Sequence, residues 1–290
     1  MAPLDTDTGS PGQPEVLRLA AFALDGAGGN PAGVVTDARG LAEARMLDLA
    51  GQVGYSETAF LLPGPDPRRF RARYFSPYAE VPFCGHATVA AAAVLAGRAG
   101  TGVFRFDTPV GEVPIDTATA DGSVLVSFTS VPPQVRPLAD AVADELLGLL
   151  GLTRDDLDPA LPLLEAFAGN WHPVVAVADK ARFDGFGFDP AAVRRLMDRE
   201  GWRGTVTVVH RRAPELFEAR NLFPVGAITE DPATGSAAAS LGGYLRALGG
   251  QPAGFEIRQG HHVGRPSRLL VEVPPSGGIR VSGRVTGISD

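Results

Sequence analysis

Three short segments of the sequence carry polar side chains that could bind a small substrate or move a proton on it. The segments are "YSETAF", "PFCGHAT" and "EDPATGSA", and their candidate residues are Glu57, Cys84, Gly85, His86, Asp231, Gly235 and Ser236. A glutamate seldom lies among aliphatic and aromatic neighbours unless it is paired or functional. A carboxylate in such a place can take a proton from one atom of a substrate and return it to another. Glu57 is therefore the first candidate for an acid/base, and isomerisation is a natural reaction for it.

Each candidate also has an interpretation in which it serves only the fold. Asp231 could cap the helix that follows it, as Asp and Thr commonly do. His86 could be a hydrogen-bonded core histidine, and Cys84 a small buried apolar side chain. Glu57 could be paired with a partner inside the protein. The residue types leave these alternatives open.

Two of the segments lead into helices built from very small side chains. Alanine-rich runs predict helices over 86–96 and 233–247, and because every face is apolar or tiny, both helices are expected to be buried. A turn rich in Gly, Pro, Asp or Thr precedes each one. The first N–H groups of a helix have no intrahelical partner and, with the helix dipole, can hold an anion. We expect both helix starts to direct donors at one carboxylate-bearing ligand.

A shift of the chain by 147 residues superimposes two pairs of segments. "FRARYFSP" at 70–77 then lies on "FEARNLFP" at 217–224, and "CGHATVAAA" at 84–92 lies on "DPATGSAAA" at 231–239. Because the shift is about half the chain, we infer two halves of similar topology. In this alignment without gaps, Cys84 and Asp231 are equivalent.

Short strands outnumber helices in both halves. Apolar runs predict many strands, among them 16–24 and 217–223, and helical periodicity predicts further helices over 41–53 and 190–201. We therefore predict an α+β fold rather than the βαβ order of a parallel sheet.

Composition limits the partners and the location. The chain has 290 residues, 44% of them hydrophobic and 20% charged, which is enough for two cores of ordinary size. A net charge of −7 without a block of Lys or Arg argues against binding to nucleic acid or to a membrane surface. The single cysteine excludes an intrachain disulfide and fits a reducing, cytoplasmic location. Residues 1–15 lack the features of a secretory signal and are expected to be a disordered tail.

Five motifs in this order and spacing resemble the PhzF-like family of phenazine-biosynthesis isomerases, which is related in fold to diaminopimelate epimerase. They are "GNPAGVV" (29–35), "GYSETAFLLP" (54–63), "FSPYAEVPFCGHAT" (75–88), "ITEDPATGSAAA" (228–239) and "QGHHVGRPSRL" (259–269). The resemblance implies two pseudo-symmetric domains, each a barrel-like mixed β-sheet around a central buried helix. Their expected extents are 16–130, completed by the strand 277–288, and 131–276.

The resemblance also implies a role for each candidate residue. Glu57 is the expected acid/base, while His86, Asp231 and Ser236 line the pocket and the N–H groups around Gly85 and Gly235 hold the substrate carboxylate. The site is expected between the domains of a protein that usually forms a homodimer. A dihydro-hydroxyanthranilate-like ring acid is the best-known substrate of the family.

Other functions are less compatible with the sequence. Racemases of related fold use two thiols, which a chain with one cysteine cannot supply. Cys84 and His86, two residues apart at a helix start, need not form the thiolate pair of a cysteine hydrolase. We expect no metal or cofactor, because His261 and His262 lack a third ligand and no glycine-rich dinucleotide motif is present. The remaining alternative is a non-catalytic carboxylate-binding protein, or one of different specificity, on the same fold.

Overall fold

The computed structural model describes residues 14–225, 228–249 and 252–288, and it divides into two compact units. Unit 1 ends at Phe128 and is completed by the chain from Ser282 onward, while unit 2 is Thr129–Val281. The sequence placed the corresponding boundaries at 130 and 277. The predicted disordered tail, 1–15, lies outside the described residues except for its last two positions.

Seventeen strands and six helices are described. The strands are β1 (Leu17–Ala21), β2 (Asn30–Val35), β3 (Glu57–Pro63), β4 (Arg69–Phe75), β5 (Glu80–Val81), β6 (Gly102–Thr108), β7 (Gly111–Ala120), β8 (Ser123–Thr129), β9 (Gln134–Pro137), β10 (Leu164–Phe167), β11 (Trp171–Ala176), β12 (Val206–Ala213), β13 (Leu216–Val225), β14 (Ile228–Asp231), β15 (Gly254–Gln259), β16 (Ser267–Glu272) and β17 (Arg280–Gly287). The helices are α1 (Glu43–Val53), α2 (Gly85–Ala99), α3 (Asp140–Leu149), α4 (Lys180–Gly185), α5 (Pro190–Glu200) and α6 (Gly235–Leu248). The α+β prediction is confirmed.

Unit 1 is a closed barrel of mixed strands. Its order is β1–β2–β3–β4–β6–β7–β8–β17 and back to β1. The β2–β3 and β4–β6 pairs are parallel, and the short β5 pairs with β4. The strand that closes the barrel comes from the C-terminal end of the chain, so unit 1 needs residues from both ends of the sequence.

Unit 2 repeats this pattern of pairing. β10 and β11 are antiparallel, β11 and β12 parallel, β12 and β13 antiparallel, β13 and β15 parallel, and β15 and β16 antiparallel. The short β14 pairs with β13 as β5 pairs with β4. The inference of two topologically similar halves is therefore confirmed by the strand order.

The alanine-rich helices are the central helices of the two units, as predicted. α2 packs against β1, β2, β3 and β7, and α6 packs against β9, β10, β11 and β16. Small side chains are required because the neighbouring chain approaches closely. A Cβ on Gly242 would lie 2.7 Å from Ile279 Cγ2, and a Cβ on Gly243 would lie 2.3 Å from Pro133 Cβ. Larger residues in this part of α6 would displace the surrounding strands.

The structure corrects the register of the repeat beyond the matched strands. Phe75 pairs with Glu80 in unit 1, whereas Leu222 pairs with Glu230 in unit 2. The second connection is thus three residues longer, and the offset between the units rises from 147 to 150. Cys84, the residue before α2, is therefore equivalent to Thr234, the residue before α6, and not to Asp231.

An ion pair found in both units supports the corrected register. Arg73 binds Glu80 with an N–O distance of 2.7 Å, and Arg220 binds Glu230 at 2.6 Å. The first pair joins β4 to the short β5, and the second joins β13 to the short β14. With this register, "EVPFCGHA" at 80–87 lies on "EDPATGSA" at 230–237.

Several elements lie on the outside of the units. The prediction of a helix over 41–53 is confirmed by α1, whose buried face contains Met46, Leu49, Ala50 and Val53. α3 and α4 were not predicted. Leu146 of α3 and Leu196 of α5 join Trp202 in one apolar cluster of unit 2. No described helix combines the length and apolar character that a membrane crossing needs.

Candidate functional site

Glu57 is the first residue of β3, and its position depends on the strand beside it. Gly33 of β2 lies opposite Thr58 of β3 in the parallel register. A Cβ on Gly33 would lie only 2.6 Å from Thr58 Oγ1, so glycine lets the two strands approach. Thr58 is buried and fixes the end of β3 next to Glu57. The "GNPAGVV" motif therefore supports the "SETAF" motif through direct packing.

The start of α2 is anchored by a buried chain of hydroxyl groups. Tyr74 donates to Thr88 Oγ1 at 2.7 Å, and Thr88 Oγ1 donates to the Cys84 carbonyl at 2.7 Å. Burial raises the pKa of Tyr74, so the phenol keeps the proton that it donates. This chain connects β4 to the residue before α2 and fixes Cys84 relative to the barrel.

Glu57, Cys84 and His86 form one cluster in unit 1. The Cys84 Sγ lies 3.5 Å from Glu57 Oε2 and 3.4 Å from His86 Nδ1. His86 Nε2 lies 3.5 Å from Glu57 Oε2 and 3.4 Å from Ser56 Oγ. The side chain of Glu57 is 21% exposed and that of His86 is 10% exposed. The carboxylate is thus held by neighbours while one part of it faces outward.

The two central helices begin without a side-chain cap. α2 follows Cys84 and α6 follows Thr234, and neither residue caps its helix through a side-chain hydrogen bond. By contrast, Asp179 caps α4 and Asp189 caps α5. The uncapped starts of α1 and α3 are exposed, whereas the starts of α2 and α6 are partly buried. Backbone N–H groups there can receive a carboxylate.

Asp231, Thr234 and Gln259 form a hydrogen-bonded group in unit 2. Thr234 Oγ1 donates to Asp231 Oδ2 at 2.6 Å. Gln259 Nε2 donates to the Asp231 carbonyl at 2.6 Å and to Thr234 Oγ1 at 3.0 Å, while its Oε1 accepts from the Thr234 N–H. Gln259 comes from the end of β15 and opens the "QGHHVGRPSRL" motif. That motif therefore positions the chain before α6.

Ser236, in the first turn of α6, is paired with a buried histidine. His172 Nε2 lies 3.1 Å from Ser236 Oγ, and the Thr205 N–H donates to His172 Nδ1 at 3.0 Å. If Nδ1 carried the proton, the buried Thr205 N–H would lose its acceptor, which costs more than leaving the Thr205 carbonyl without this donor. Nδ1 is therefore the acceptor, and Nε2 carries the proton. Desolvation lowers the pKa of His172 to about 4, so the buried ring is neutral at neutral pH. The neutral ring thus donates to Ser236 Oγ and leaves the serine proton to donate elsewhere.

The predicted site residues fall into one group in each unit. Glu57, Gly85 and His86 lie together in unit 1, and Asp231, Gly235 and Ser236 lie together in unit 2. Sequence reasoning did not single out Ser56, His172 or Gln259. Ser56 and Gln259 are inside the quoted motifs, which is a usable signal. His172 lies in the apolar run "HPVVAVAD", where its residue type gave no indication of a contact with Ser236.

Among the described residues, Glu57, Cys84 and His86 are also a group of possible metal ligands. One donor atom from each lies within 4.8 Å of the others. The paired histidines 261 and 262 do not belong to such a group in the described part of the chain. His262 instead contacts the Asp184 carboxylate at 3.1 Å.

Comparison with known proteins gives consistent matches along the chain. The sequence pattern of the family described as phenazine biosynthesis-like protein, PhzC-PhzF, matches residues 19–288. An uncharacterized isomerase of Mesorhizobium japonicum is 32% identical over 286 residues, covering 93% of this chain and 94% of the relative. A predicted epimerase of Pseudomonas aeruginosa superimposes with a TM-score of 0.80 at 26% identity, covering 96% of this chain and 98% of that one.

A more distant structure shares the fold. A probable proline racemase of Agrobacterium radiobacter, crystallised with bound carbonate, superimposes with a TM-score of 0.63 at 15% identity, covering 96% of this chain and 92% of that one. The fold is therefore the one shared by PhzF proteins and the diaminopimelate epimerase-like racemases. The family pattern and the relative that matches along most of the chain agree, and the chain belongs to the phenazine biosynthesis-like, or PhzF, family of isomerases.

Proposed function

We propose that this isomerase moves a proton on a small carboxylate-bearing substrate without a cofactor and uses Glu57 as the acid/base. The observation that carries the proposal is the cluster at the start of α2. The Glu57 carboxylate lies within 3.5 Å of Cys84 Sγ and His86 Nε2, and it remains 21% exposed. A base must be both held in place and able to reach its substrate. Glu57 satisfies both requirements.

The substrate carboxylate is proposed to bind the N–H groups at the start of α2, around Gly85 and His86. This places a negative charge where the helix start favours one and leaves Glu57 beside the rest of the ligand. The family resemblance extends the proposal to Asp231, Gly235 and Ser236 as further substrate-binding residues. The hydrogen bond from His172 supports Ser236 in this role, because it leaves the serine hydroxyl free to donate.

A non-catalytic carboxylate-binding protein, or one of different specificity, is the alternative. The two functions differ in the effect of Glu57→Gln, which keeps the shape of the side chain but cannot accept a proton. We expect turnover to fall while affinity for the same acid, measured by calorimetry, stays within about threefold, because a lost general base typically costs about 10²–10⁴ in rate and little ground-state binding. Glu43→Gln, an exposed glutamate in the same unit, is the matched control.

Suitable acids for this comparison form a small panel of ring and open-chain carboxylates, starting with a dihydro-hydroxyanthranilate. An acid that binds but is not converted by the wild type, with equal affinity in both variants, would support the binding protein. Conversion by the wild type alone would support the isomerase.

We also infer a homodimer in a reducing, cytoplasmic environment. The first inference rests on the family resemblance, and the second on a single cysteine that contacts Glu57 and His86 as a thiol. Light scattering coupled to gel filtration checks the assembly: a mass near twice the 30.2 kDa of the chain is expected, and a mass of one chain would contradict the dimer.

A further inference from the structure

The cluster of Glu57, Cys84 and His86 also has the geometry of a set of metal ligands. The three atoms Glu57 Oε2, Cys84 Sγ and His86 Nε2 are separated by 3.5, 3.5 and 3.8 Å. The His86–Glu57 distance is at the long limit for a hydrogen bond, for which about 2.7–3.2 Å is usual. The three donor atoms thus form a nearly regular triangle, and each of its sides is 3.5 Å or longer.

The triangle matches the face of a tetrahedral zinc site. Bond lengths of about 2.3 Å to sulfur and about 2.0–2.2 Å to nitrogen and oxygen, at the tetrahedral angle, place the ligand atoms about 3.4–3.6 Å apart. All three observed separations lie within about 0.2–0.3 Å of that range. Small rotations of the side chains would therefore be enough to place one ion at equal reach of all three atoms.

The chemistry of the three donors also suits a zinc-like ion. Thiolate, imidazole and carboxylate are the zinc ligands of proteins. A divalent ion with one thiolate and one carboxylate has no net charge, which suits the partly buried position of this cluster. Cys84 is 7% exposed and lies directly before a helix start, where the dipole favours the thiolate. The fourth position can be filled by water or by the carboxylate of a ligand.

We propose that Glu57, Cys84 and His86 form an inhibitory binding site for a zinc-like divalent transition-metal ion. An ion on Glu57 Oε2 draws negative charge from the carboxylate and makes it a weaker base, so metal binding should suppress proton transfer. The inhibitory part rests on the proposed function, whereas the binding part does not. The enzyme would then be active when metal-free and lose activity as the free concentration of the ion rises.

Cobalt(II) is the probe for binding. The full-length chain, treated with a chelator and then freed of it, is titrated with Co²⁺ and followed by absorbance. Because Cys84 is the only cysteine, a near-ultraviolet sulfur-to-cobalt band reports on this residue alone. We expect one equivalent to produce that band together with visible bands of tetrahedral cobalt, and Zn²⁺ to abolish both. Cys84→Ser should remove the sulfur band, and His86→Ala should weaken binding by at least about tenfold, the smallest loss usual even for a residue that only supports a ligand.

His261 and His262, in the short 3₁₀ helix His261–Val263, provide the matched control. The double variant His261→Ala, His262→Ala should keep the band and the affinity. No sulfur-to-cobalt band at millimolar Co²⁺, or binding lost in this double variant and kept in Cys84→Ser, would overturn the metal site and leave the proposed function intact.

Inhibition is the second measurement. With a converted substrate, Zn²⁺ should inhibit the wild type over the range in which it displaces Co²⁺, and EDTA should reverse the inhibition. Binding without inhibition would overturn the competition between metal and proton transfer. That result would also count against Glu57 as the base, whereas a failure to bind cobalt would count against the metal site alone.

Discussion

At the residue scale, the sequence pointed to Glu57 but not to the contacts that hold it. A single glutamate at the start of an apolar strand could be noticed from the sequence because the surrounding residues do not explain it. Its contacts with Cys84 and His86 could not be predicted, because they depend on the packing of β3 against α2. His172 was missed for a related reason: a buried histidine in a strand looks the same whether it supports a ligand or only the core.

Replacement of Cys84 by serine should leave most of the turnover. If Glu57 is the base, the thiol only donates a hydrogen bond to it, and a hydroxyl can do the same at slightly shorter reach. We expect kcat/KM of Cys84→Ser within about tenfold of the wild type, which is less than the loss of about 10² or more that removal of a general acid or base typically causes. A loss of about a thousandfold with an unchanged circular dichroism spectrum would instead indicate thiol chemistry.

His172 should make the stability of the protein depend on pH. Its pKa is about 4 in the folded chain against an ordinary 6.5, so between these values the unfolded state binds more protons. The unfolding free energy should therefore fall as the pH drops from about 6.5 to about 4, by about 3 kcal/mol from this residue. Denaturant titrations of wild type and His172→Gln at pH 7 and pH 4.5 check this. An equal loss in both proteins would show that His172 does not contribute.

At the scale of elements, the structure shows how the motifs support one another. Gly33 allows β2 to approach β3, the Tyr74–Thr88 hydroxyls anchor α2, and Gln259 holds the chain before α6. Helix and strand types followed from the periodicity of apolar residues. The register of the repeat could not be read from the sequence, because alanine-rich helices match one another at several offsets and so hide the three additional residues between Leu222 and Glu230.

Gly33→Ala should destabilise the protein and disturb Glu57. The added Cβ would lie 2.6 Å from Thr58 Oγ1, so β2 or β3 has to move, at a typical cost of about 1–3 kcal/mol for overpacking. Gly51→Ala is the control, since a Cβ there meets nothing within 4 Å in α1. Thermal unfolding should show a lower midpoint for Gly33→Ala alone. Equal midpoints for the two variants would mean that the contact between β2 and β3 is not tight.

At the scale of the whole molecule, the sequence predicted two similar halves. It did not show by itself which half the last strand, β17, completes. The repeat in the sequence indicated two similar units, and the strand order repeats in both. Closure of unit 1 by a strand from the far end of the chain came from the family resemblance, because no local pattern tells which barrel β17 completes. How the two groups of site residues act on one substrate also stays a prediction of that resemblance.

Removal of metal ions should not lower the activity. The proposed reaction uses only side chains and backbone donors, and the metal site inferred at Glu57 is inhibitory. Dialysis against EDTA should leave the turnover unchanged or increase it slightly, measured with the same acid before and after treatment. A loss that one particular metal restores would show that the reaction depends on that ion.

The most direct test of the account is a turnover and isotope measurement on Glu57→Gln in deuterated water. With a converted acid, the wild type should form product that either carries deuterium at the carbon that receives the proton or keeps part of the original hydrogen there. The variant should bind the acid with similar affinity, and both signals in the nuclear magnetic resonance spectrum should fall by about 10²–10⁴ in rate. If Glu57→Gln converted the acid at the wild-type rate, Glu57 would not be the base, and Asp231 would be the next carboxylate to replace.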